Sequence, residues 1–161
     1  MNFIKKLGIG SYVLVVSAIV ALVAGIVYAV NSGAPEFAEQ NPNAAVLVPL
    51  FDILAAVFFI LAVVVSVLPV KGLVKNISSV CVMALVVLGG LFLGIAAINA
   101  LSALMYDWVI FLFSDLHAGD DALYANIQGA LASTIMSGVV ILVAGIGAMI
   151  GLGRGEEEVA A

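Results

Sequence analysis

The segment Val70-Lys71-Gly72-Leu73-Val74-Lys75-Asn76 decides how this chain folds. It is short, basic and interrupted by glycine, and it separates two long apolar runs, one reaching back to Pro42 and the other forward to Phe113. Loops on the cytoplasmic side of a membrane carry an excess of Lys and Arg, so this segment reads as an inner loop. The remaining basic residues agree: Lys5 and Lys6 stand at the start of the chain and Arg154 near its end. The segments 31–41 and 106–120 carry acids and no Lys or Arg, which places them outside. The expectation is an all-α, polytopic integral membrane protein: a single domain over 1–161 forming a four-helix transmembrane bundle, with the N- and C-termini both inside.

Composition supports that solvent assignment. The chain is 161 residues, 65% hydrophobic and only 9% charged, whereas a soluble domain carries about 25% charged residues. Lipid is therefore the solvent for most of it. The net charge of −5 disfavours nucleic acid as a partner. Cys81 is the one cysteine, so an internal disulfide and CxxC redox chemistry are excluded. The first residues resemble a secretory signal, with Lys5 and Lys6 ahead of an apolar run and Val27-Tyr28-Ala29 as a cleavage-like end. The run from Leu7 to Val30 exceeds the 7–15 or so residues of an ordinary signal core, so it reads as a retained first span.

Four spans are expected at about 8–30, 42–69, 77–105 and 121–152, with the inner loop at 70–76 and outer loops at 31–41 and 106–120. For the second span, Pro42 suits the first helical position and would leave Pro49 as an internal kink; the alternative is a start at Pro49. Apolar character in the third span persists to Phe113, more than a bilayer requires, so spans three and four are expected to extend on the outer side. Tyr106, Trp108, Phe111 and Phe113 suit the outer interface. The two halves share one plan of basic start, span, acidic loop and span, which would make any repeat parallel rather than inverted.

Small residues recur every four positions. Ser17, Ala21, Gly25, Ala29 and Gly33 form one such stripe, Gly129, Ser133 and Ser137 a second, followed by Gly147, Gly151 and Gly155 at the same spacing, and Gly90 and Gly94 a third. Positions four apart share a helix face, and small side chains there let two backbones approach closely in lipid. One reading is that the stripes pack the helices of a single chain together. The other is that one stripe, that of span one in particular, meets a second subunit.

Polar residues of the spans gather toward the outer ends. Asp52 is expected about one turn inside the membrane or at its edge, where it could bind a ligand or accept hydrogen bonds from Asn99 or Gln128. Asp52, Asn99, Gln128 and Trp108 are thus the candidate ligand-binding residues at the outer rim. Asp115, His117, Asp120 and Asp121 are a weaker set: carboxylates and an imidazole suit a divalent cation, but no metal-binding spacing supports one, and no metal or other cofactor is assigned. No His lies in the spans to ligate haem, and no Ser–His pairing or Gly-rich phosphate loop appears.

The functional expectation is a non-enzymatic membrane protein of a bacterial cell membrane. It would work by helix association, with itself or with another membrane protein, as a homo-oligomer or an accessory subunit. The alternatives are a small transporter or channel with its pore at a subunit interface, and an outward-facing binding module for lipid, glycan or cation.

Overall fold

Hydrocarbon cannot hydrogen-bond a backbone, so apolar runs of this length fold as helices that satisfy their own peptide groups. The structure, a computed structural model, describes residues 7–32, 42–68, 73–113 and 121–152. They form α1 (Ile9–Ser32), α2 (Pro42–Ser66), α3 (Leu73–Phe113) and α4 (Asp121–Ile150). Each contains a stretch long and apolar enough to cross a membrane: Ile9–Ser32, Pro42–Ser66, Ile77–Met105 and Leu123–Ile150. By helix length and hydropathy the chain is a multi-pass membrane protein associated with a lipid bilayer.

The helix ends follow local chemistry. Pro42 opens α2, where its missing N–H costs nothing, and the helix runs on through Pro49. Pro49 has no amide to offer the carbonyl of Ala45 one turn back, which weakens the α2 ladder at that point. Asp121 sits in the first turn of α4, where a carboxylate complements the helix dipole. α4 stops at Ile150 because Gly151 takes φ +99°, a left-handed conformation that favours glycine. α3 is 41 residues long, about 60 Å of helix, and segment 107–113 continues it without a break.

α1 packs between α2 and α4, and α3 packs between the same two from the opposite side. Contacts fix the directions. Ser78 of α3 reaches the Val65 carbonyl of α2, while Phe92 stacks on Phe51 and Phe58 of α2 at 5.7 and 5.4 Å between ring centres. α2 and α3 are therefore antiparallel. Gly10 of α1 lies against Gly147 and Gly151, and Asn31 lies against Gly129, so α1 and α4 are antiparallel as well.

The interior has two apolar clusters. One, toward the Gly10 end, is built on Leu14, Phe59, Leu93 and Val140. The other, toward the Asn31 end, holds Tyr28, Val48, Leu104 and Ile127. Large apolar side chains also cover the outside, Val30, Met83 and Met149 among them, as expected when the surroundings are hydrocarbon rather than water. α3 is the least buried of the four helices, and Cys81 is exposed on it.

Candidate functional site

Asp52 is the only Asp, Glu, Lys, Arg or His among the described buried residues, and it is fully buried. It lies ten residues after Pro42 and fourteen before Ser66, about 15 and 21 Å of helix from either end of α2. Residues 42–48 are helix, with Ala44 and Val48 buried, so the apolar length of α2 is counted from Pro42 rather than from Pro49.

Three helices build the site. Gly25 of α1 faces Asp52 so closely that a Cβ there would stand 3.1 Å from the Asp52 Cβ, so the absence of a side chain makes room for the carboxylate. From α4, Ser137 Oγ donates to Asp52 Oδ1 at 3.1 Å. One turn along α4, Ser133 Oγ donates to the carbonyl of Ala24 at 2.6 Å, which ties α4 to α1 beside the carboxyl group. Asp52 Oδ2 is buried with no hydrogen-bond partner. Ser17 Oγ and Ser32 Oγ are in the same condition. A buried polar atom without a partner is costly in hydrocarbon, and an ionisable one inside a membrane marks a functional site by default.

The other residues singled out at the rim are not part of this group. Asn99 spends its amide on its own helix, donating to the Ile95 carbonyl at 2.8 Å, and Gln128 is exposed. The partner of Asp52 is thus Ser137, not Asn99 or Gln128. The backbone of Trp108 belongs to α3, but its side chain, like those of Tyr106 and Phe111, lies outside the described residues. Asp115, His117 and Asp120 also lie outside them, and Asp121 is exposed at the head of α4. Among the described residues no three His, Cys, Asp or Glu come together in a way that would hold a metal ion.

The small-residue stripes divide by helix. Ser17, Ala21 and Gly25 are buried within the chain, Ala29 is exposed, and Gly33 lies outside the described residues. On α4, Ser133 and Ser137 are buried, and a Cβ on Gly129 would overlap the Asn31 side chain at 2.3 Å. These two stripes therefore face each other and α2. Gly90 and Gly94 of α3 differ: nothing lies within 4 Å of where their Cβ atoms would be, and the same holds for Gly138 of α4.

Beyond the stripes, α1 and α4 are joined at their ends. The N–H of Gly8 donates to the Leu152 carbonyl at 2.9 Å, the N–H of Gly10 donates to the Gly151 carbonyl at 3.1 Å, and Ser11 Oγ donates to the Leu152 carbonyl. The first amides of a helix lack partners within it, and here the chain just past α4 supplies them. The close-set Gly8, Gly10 and Ser11 are the sequence signal for this junction, and the spacing of Gly147 and Gly151 gives its other half. Comparison of the chain with protein-family models, curated proteins and solved structures finds no match.

Proposed function

We propose that this protein acts by helix association, without catalysis, as a homo-oligomer or an accessory subunit of a larger complex in a bacterial cell membrane, with α3 as its docking helix. One observation carries the reading. The small residues of α1 and α4 are largely taken up inside the chain, whereas Gly90 and Gly94 on α3 face open space. Glycines four apart on a lipid-facing helix let a second helix approach closely, and lipid tails fill such a groove less well than a helix does. The charge pattern supports cytoplasmic termini, since the basic residues occur near both ends and in the 70–76 segment.

Single cysteines at Val87 and Leu91, both exposed on α3 beside these glycines, test the association in a Cys81→Ser background. Oxidation in native membranes should give crosslinked dimers, or adducts to one partner, from these positions and none from Ile19 on the outer face of α1. A Gly90→Leu, Gly94→Leu double variant should disperse the assembly in mild detergent. A wild-type chain that is strictly monomeric and copurifies with nothing would refute the reading. For orientation, an impermeant thiol reagent added to intact cells should label Glu36→Cys and spare Lys71→Cys; labelling of both would refute it.

A further inference from the structure

The association reading makes no use of Asp52. The carboxyl group is fully buried near the middle of α2, its Oδ1 accepts from Ser137, and its Oδ2 has no partner. Gly25 presses against its Cβ, so no room is left on that side for a hydrated ion. Among the described residues, Ser137 is the one side chain that hydrogen-bonds the carboxyl group. Among the described residues, α1, α2 and α4 carry no Lys, Arg or His. The groups facing Asp52 are Gly25 from α1 and Ser137 from α4. The other titratable groups on those helices are Tyr12, exposed near the Gly10 end, Tyr28, buried one turn beyond Gly25, and Asp121 and Tyr124, exposed at the start of α4. Cys81 on α3 is exposed, and Lys75 lies in the first turn of α3, at the Ser66 end of α2.

The surroundings are also asymmetric. From Asp52 toward the Asn31 end, α1 and α4 bury Ser137, Ser133, Tyr28 and Ser32, the last with an unpartnered hydroxyl, and Asn31 lies against Gly129. Toward the Gly10 end the core is Leu14, Ala18, Phe59, Val63, Val140 and Ala144, and among the described residues Ser17 is the one polar side chain buried there before Ser11 at the helix start. Hydroxyl groups can relay hydrogen bonds to a buried acid, whereas apolar side chains cannot.

We infer that Asp52 is a proton-exchange site: it carries a proton on Oδ2 in the closed bundle and exchanges it with water admitted from the Asn31 end. On release the O–H bond breaks, the electron pair stays on Oδ2, the proton passes to water, and the Ser137 hydroxyl continues to donate to Oδ1. Uptake is the reverse. The ligand is a bare proton rather than a metal ion, because among the described residues no other carboxylate, His or Cys gathers with Asp52 to hold one.

An apolar carbodiimide, which reacts with protonated carboxyl groups from within hydrocarbon, tests this on the full chain in lipid vesicles. Peptide mass spectrometry should find the adduct on Asp52, its rate falling about tenfold per pH unit above a midpoint and unaffected by Na⁺. The water-soluble carbodiimide should leave Asp52 unmodified. The adduct should disappear in Asp52→Asn, and Ser137→Ala should displace the midpoint while Ser133→Ala leaves it in place. Labelling of the native chain decides the matter even if a variant fails to fold. No Asp52 adduct at any pH, a rate independent of pH, or protection by Na⁺ would each overturn the inference, the last by making this a sodium site.

Discussion

The two sides of α4 meet their neighbours in opposite ways. Toward α1 the contact is tight along its whole length: Gly10 sits on Gly147 and Gly151, Ser133 bonds to the Ala24 carbonyl, and Gly129 accommodates Asn31. Toward α3 the contact is sparser, and nothing lies within 4 Å of where a Cβ would stand on Gly138 of α4 or on Gly90 and Gly94 of α3. The same residue type thus serves two ends. Where backbone lies opposite, glycine permits contact; where nothing lies opposite, glycine leaves a surface unused by this chain.

Substitutions can break that contrast. The largest effect is expected for Gly10→Ala, whose new Cβ would stand 2.2 Å from the Gly147 carbonyl oxygen and 2.4 Å from that of Gly151. Backbone on both sides cannot step aside, so the loss should be about 3 kcal/mol or more, read as a shift in detergent-induced unfolding followed by helicity. Gly25→Ala should cost less, about 1–2 kcal/mol, because the Asp52 Cβ at 3.1 Å can yield by a few tenths of an ångström. Ser133→Ala removes one interhelical bond and should cost about 0.6–1 kcal/mol in the same assay. Gly94→Ala should be neutral or stabilising by up to about 1 kcal/mol for the single chain, since the methyl group meets nothing and glycine is a poor helix former. If Gly94→Ala were instead as damaging as Gly10→Ala, the α3 face would be filled from within the chain, and the distinction between the two sides of α4 would collapse.

Much of the fold is legible in the sequence. Hydropathy alone finds the four helices, because each apolar run is long enough to cross a bilayer, and Pro42 marks the start of α2 because proline suits a first turn. The candidate site was legible only in its members. Asp52, Gly25, Ser133 and Ser137 all stand out as polar or small residues, but four-residue spacing shows which residues share a face and not which helix that face meets. The pairing of Asp52 with Ser137 joins residues 85 apart in sequence, and no local pattern announces it. Gly10 shows the same blindness, since its role comes wholly from the chain beyond α4.

The junction of residues 8–11 with Gly151 and Leu152 has a consequence in time. A ribosome delivers α1 before α4, and Ser11 and Leu152 are 141 residues apart, so the opening amides of α1 wait through the synthesis of all three other helices before they find their acceptors. A product truncated within α4 would present those amides and a row of small residues to the bilayer uncovered.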